Sequence, residues 1–102
     1  MRMYLKVQMP TDAGNTSIRN GKLPQVMTRF IETYRPEAAY FCTVDGDRCA
    51  HFFFDLKDVS QMPVIAEPFF QDLGAKITYS PAMNAEDLKK GLDSLMAAGA
   101  TR

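Results

Sequence analysis

Residues 3–9 alternate: Met3, Leu5, Val7 and Met9 are apolar, and Tyr4, Lys6 and Gln8 fall between them. A period of two marks a strand buried on one side. Pro10 ends it, because proline has no N–H for a ladder. The turn-rich run Thr11 to Asn15 predicts a loop. The period then lengthens. Ile18, Leu23, Val26, Met27, Phe30, Ile31 and Tyr34 recur at three- and four-residue spacing, enough to line one face of a helix that runs to about Tyr34. Asn20-Gly21 predicts a kink or break near its start. Pro36 predicts its end, since the residue before a proline is turned out of the α region.

A hairpin is the clearest local signal. Ala39-Tyr40-Phe41-Cys42-Thr43-Val44 and Cys49-Ala50-His51-Phe52-Phe53-Phe54 flank Asp45-Gly46-Asp47. Tight hairpin turns need positive φ, which Asp-Gly supplies. With the turn at either Asp45-Gly46 or Gly46-Asp47, an even position of the first strand faces an odd one of the second. One face then carries Phe41, Ala50, Phe52, Phe54 and Leu56. The other carries Tyr40, Cys42, Val44, Cys49, His51, Phe53 and Asp55.

A helical region follows from Asp58 or Ser60, with Val64, Ile65, Phe69, Phe70 and Leu73 as its buried side. Pro63 suits a first turn, whereas Pro68 predicts a break into two short helices, closed by Gly74. Lys76 to Ser80 reads as a short strand stopped by Pro81. Asn84 then caps a last helix, with Glu86 and Asp87 at the positive end of its dipole. Leu88, Leu92, Leu95 and Met96 form its apolar stripe, and Gly99 its end.

The order strand, helix, hairpin, helix, strand, helix predicts one α+β domain over residues 1–102. It is ferredoxin-like: βαββαβ with a four-stranded antiparallel sheet, both helices on one face, plus a C-terminal helix. The length of 102 residues suits a single domain. This order, with the texture of Glu67-Pro68-Phe69-Phe70 and Leu73-Gly74-Ala75, resembles the dimeric α+β barrel proteins of the ferredoxin-like group over nearly the whole chain. The resemblance implies a homodimer that pairs through its sheets. That superfamily holds antibiotic-biosynthesis monooxygenases, muconolactone isomerases and haem-dependent peroxidases, so it implies architecture rather than chemistry.

The strand faces point to a dimer independently. The face of Met3, Leu5, Val7, Phe41, Phe52 and Phe54 is almost wholly apolar and calls for helices. The opposite face, with Tyr4, Lys6, Gln8, Tyr40, Cys42, His51, Phe53 and Asp55, is too apolar for water and too polar for a dry core. A second copy of the sheet around a lined cavity satisfies both.

Composition narrows the function classes. Twelve basic and twelve acidic residues give zero net charge, without the basic stripe that binds nucleic acid or an anionic membrane. No run approaches the apolar length of a membrane span, and the N-terminus lacks the pattern of a signal peptide. With two cysteines and one histidine, neither a zinc cluster nor a secreted disulfide framework is expected, and no metal or cofactor is predicted. The expected setting is the cytoplasm, where Cys42 and Cys49 are expected as small buried thiols rather than a disulfide.

His51 is the one side chain expected to titrate near neutrality, and it is the single candidate for catalysis, as a general base. A lone histidine of this kind more often hydrogen-bonds a strand neighbour. Tyr4, Lys6, Tyr40, His51, Phe53 and Asp55 are the candidate ligand-binding residues, suited to a small anionic or phenolic molecule. The bland alternative is a polar interface lining. Three functions fit: a small-molecule-binding dimer, a cofactor-independent monooxygenase or isomerase acting on an aromatic or enolisable substrate, and a non-catalytic dimerisation module.

Overall fold

The computed structural model describes residues 1–99. Strand β1 (Arg2–Met9) alternates half-buried and buried along its whole length, as its sequence period requires. Two helices follow, α1 (Thr11–Arg19) and α2 (Lys22–Tyr34). Then come the hairpin strands β2 (Ala38–Val44) and β3 (Asp47–Asp55), helix α3 (Gln61–Leu73), strand β4 (Lys76–Pro81) and helix α4 (Ala85–Ala97). The strands form one antiparallel sheet in the order β2-β3-β1-β4. This α+β arrangement is compatible with a ferredoxin-like fold.

Asp45 and Gly46 form the hairpin turn with φ of 51° and 80°, the double positive φ of a type I′ turn. Tyr40 therefore faces His51 and Cys42 faces Cys49, the parity expected from the sequence. The core lies between the sheet and α2 and α3. Phe30 is its hub, with ring centroids 4.6 Å from Phe52, 5.4 Å from Phe54 and 5.7 Å from Phe69. Met3, Leu5, Val7, Ile65 and Leu73 fill the space around these rings. Burying each such side chain is worth about 1.5–3 kcal/mol.

Several expectations are corrected. Thr11 to Asn15 is not a loop but the first half of α1. Pro10 costs the helix nothing at its start, where its missing N–H has no partner in any case, and its carbonyl accepts from Gly14 N at 2.8 Å. The buried face of α1 consists of Gly14 and Ser17, so no apolar period announced it. Asn20-Gly21 does mark a break, between α1 and α2. Pro68 does not break its helix. α3 is continuous through it, because buried Ile65, Ala66 and Phe69 anchor both sides. The one hydrogen bond lost is to the carbonyl of Val64, an exposed residue. Phe41 lies on the helix-facing side, yet it is exposed because β2 is an outer strand beyond the reach of the helices.

α4 forms as expected, with a complete capping box: Asn84 Oδ1 accepts from Asp87 N at 2.8 Å, and Asp87 Oδ2 accepts from Asn84 N at 3.0 Å. Its leucines, however, are not buried. No residue of α4 is buried, and Leu88, Leu92 and Leu95 are between 40% and 50% exposed. The chain is accordingly elongated, 57 × 28 × 19 Å with a radius of gyration of 16.7 Å. A compact chain of this length has about 13 Å. No helix among the described residues is long and apolar enough to cross a membrane.

Candidate functional site

The sheet face opposite α2 and α3 carries a cluster of aromatic and hydrogen-bonding side chains drawn from three strands. Tyr4 projects from β1, and its direct partner on β3 is Phe53. Their rings stack with centroids 4.9 Å apart at 15°. The Tyr4 ring is also nearly parallel to the His51 imidazole, 5.8 Å away at 8°. The Tyr4 hydroxyl lies 2.6 Å from His51 Nδ1, and the other ring nitrogen, Nε2, lies 3.3 Å from Cys42 Sγ. Tyr4, His51 and Cys42 thus form one hydrogen-bonded chain across β1, β3 and β2. A tyrosine hydroxyl both donates and accepts, so this chain holds together in either imidazole tautomer.

Register explains why three strands converge here. Lys6 is the β1 partner of His51, and Tyr40 is its β2 partner. Tyr4 and Cys42 are each two positions further along their strands, in opposite senses, which puts them on the same face and diagonal to His51. Cross-strand diagonals lie about 7–8 Å apart at Cα, within reach of aromatic side chains.

Burial sets the electrostatics. Desolvation pushes the Tyr4 hydroxyl above its ordinary pKa, and the Cys49 and Cys42 sulfurs add to this, so the phenol stays protonated. Cys49 stands opposite Cys42 on the same face but is only 2% exposed. Burial raises its thiol pKa, while the Lys6 ammonium pulls the other way. Gln8 ties the end of the face to the hairpin, donating to Asp47 Oδ2 at 3.1 Å.

Of the residues expected at this site, the fold groups Tyr4, His51 and Phe53 by ring contact, with Lys6 beside His51. Tyr40 is on the outer strand and 67% exposed. Asp55 stands apart from the group. Its carboxylate takes the N-terminal ammonium at 2.7 Å and Lys57 Nζ at 2.6 Å, and these contacts hold it at a pKa of about 2. It is therefore engaged elsewhere and does not orient His51.

Cys42 is the residue that sequence reasoning did not attach to the site. It is exposed, not a buried thiol, because the outer strand has no neighbour to cover it. The signal was present: the hairpin parity already put Cys42 on the face of His51, two residues from its direct partner. Both cysteines are free. Among the described residues, no group of three or more His, Cys, Asp or Glu side chains is placed to hold a metal ion.

Away from the sheet face, a concavity of about 280 Å³ lies between α2 and α3 and is lined by Phe30, Tyr34, Val64 and Phe69. It gathers apolar surface without a hydrogen-bonded polar cluster, so the sheet face remains the candidate site. No known protein-family model matches this sequence, and no curated protein matches it.

Proposed function

We propose that this chain is a homodimeric small-molecule-binding protein of the dimeric α+β barrel kind. Its pocket forms where the open sheet face is closed by a second copy. The observation that carries this reading is the cluster of Tyr4, Phe53 and His51, three stacked, half-buried rings on the sheet face opposite α2 and α3. Apolar ring surface in that quantity calls for a cover, and the hydrogen-bonding groups among it call for something polar to meet.

Two further features support a second copy. β1 lies between β3 and β4, which is the arrangement of two interlocked β-α-β units in ferredoxin-like domains, and sheets of that kind leave one face free. The leucine stripe of α4 is likewise half exposed among the described residues. A helix of thirteen residues is marginal in water on its own, so α4 gains most of its stability by lying against the partner. Within the pocket, Tyr4 and Phe53 offer ring faces, while Lys6, Tyr40 and His51 supply charge and hydrogen bonds. That lining suits a small planar molecule with an anionic or phenolic group.

Sedimentation of the whole chain, with and without Phe53→Asp, tests the assembly. The expected result is a dimer that the aspartate disperses into single chains. A thermal-shift screen with aromatic acids and phenols tests the ligand, since binding to the native state alone raises the melting temperature. A wild-type monomer with no stabilising compound overturns the proposal.

A further inference from the structure

We infer that Cys42 and Cys49 are a reactive dithiol that exchanges with small organic disulfides, with His51 as the proton acceptor for Cys42 and Tyr4 as the group that positions His51. The inference gives the face described above a chemistry of its own. It rests on the proposed pocket only for enclosure, because every reacting group belongs to one chain.

The geometry separates the roles of the two thiols. Cys42 is exposed on the outer strand with His51 Nε2 at 3.3 Å from its sulfur. Cys49 is its direct cross-strand partner and is buried. An incoming molecule therefore meets Cys42 first, and Cys49 is reached only from within the protein. Thiolate is the attacking form, so a base at the sulfur favours Cys42 further. For Nε2 to take that proton the neutral imidazole carries its hydrogen on Nδ1, and the Tyr4 hydroxyl 2.6 Å away accepts that N–H, holding the ring in the tautomer that leaves Nε2 free as a base.

The reaction balances without any metal or cofactor. The Cys42 thiol gives its proton to His51 Nε2, and the thiolate attacks one sulfur of the incoming disulfide. That S–S bond breaks, a mixed disulfide forms on Cys42, and the first leaving thiolate takes the proton from His51. The Cys49 sulfur then attacks the Cys42 sulfur, and its proton goes to the second leaving thiolate. Cys42 and Cys49 together lose two electrons and two protons, and the small disulfide becomes two thiols.

Register also says what kind of bond results. In a two-residue hairpin Val44 and Asp47 exchange both backbone bonds, so Cys42 and Cys49, two residues further on, are again a hydrogen-bonded pair. Such pairs have Cα atoms about 5.5 Å apart, within disulfide range. Their Cβ atoms lie at about 5.5 Å, wider than the ~3.8 Å a relaxed disulfide prefers. Closing the bond draws β2 inward, which makes it a bond that thiols reopen rather than a permanent staple.

The test incubates the whole chain with glutathione disulfide and follows intact mass under denaturing conditions. Wild type is expected to lose two hydrogens within a single chain. Cys49→Ser should stop at a glutathione adduct on Cys42, and Cys42→Ser should remain unreacted while folded. Iodoacetamide then reads the base: His51→Gln is expected to slow alkylation of Cys42 about tenfold near neutral pH. It should also change the pH profile of that rate, with circular dichroism confirming that the variant is folded. Three results overturn the inference: a wild-type adduct that never resolves, a disulfide that links two chains, or alkylation indifferent to His51. Sedimentation of the same samples is a separate readout. A monomer that still closes its internal disulfide removes the enclosed pocket and leaves the dithiol standing.

Discussion

α3 and α4 are both thirteen residues long and both carry an apolar stripe, yet they are held in opposite ways. α3 has no side-chain cap and a proline inside it, and it buries Ile65, Ala66, Phe69 and Leu73. α4 has a full capping box, acidic residues in its first turn and a Lys89–Asp93 pair at 2.8 Å, and it buries nothing. The first is a poor helix made stable by its surroundings. The second is a well-written helix tied to the sheet by Arg2, which donates to Asp87 Oδ2 at 3.1 Å, and it has no buried residue. Local signals of about 1 kcal/mol each are enough to define where a helix begins, whereas packing decides whether it matters to the stability of the whole.

The contrast can be broken most forcefully in the core. Phe69→Ala removes a ring packed against Phe30 and Phe52 and should cost about 3–5 kcal/mol of global stability, read by urea unfolding. On α4 the corresponding experiment is Leu92→Asp. It should leave the melting of a dilute single chain nearly unchanged and weaken self-association by about 2 kcal/mol, roughly thirtyfold in the dissociation constant. Sedimentation over a concentration series measures this, and a large loss of single-chain stability would show that α4 packs on its own body.

Smaller effects sharpen the same distinction. Asn84→Ala should cost about 1 kcal/mol locally, seen as faster amide exchange confined to α4, with exchange in α3 unaltered. The smallest effect belongs to Asp55, an exposed carboxylate held low chiefly by the Lys57 hydrogen bond. Its folded pKa lies below its ordinary value, so its contribution is complete above that ordinary value and fades as pH falls toward about 2. Asp55→Asn should melt slightly below wild type near neutral pH, and the gap should close in acid.

Much of the architecture was legible because it is written in short-range periods. The alternation of β1, the parity of the Asp45-Gly46 hairpin and the Asn84 cap each need only a few adjacent residues. α1 was not legible, since the residues it buries, Gly14 and Ser17, leave no hydrophobic pattern. The continuity of α3 through Pro68 was not legible either, because the cost of one missing hydrogen bond is local while its compensation comes from Phe30 and Phe52 across the core. At the site, the face was legible but its pairings were not. Asp55 shares the face of His51 and is nonetheless committed to Lys57 and the N-terminal ammonium.

From the chain alone came which side of β1 and of β3 turns inward, where the hairpin folds back and how the last helix is capped. Those are properties of nearest neighbours and of backbone φ. The tertiary structure alone decided that Tyr4, 47 positions away in sequence, meets His51, that His51 meets Cys42, and that Cys49 is hidden while Cys42 is not. Such contacts depend on the alignment of distant strands and on which strand lies outermost, and no local period encodes either.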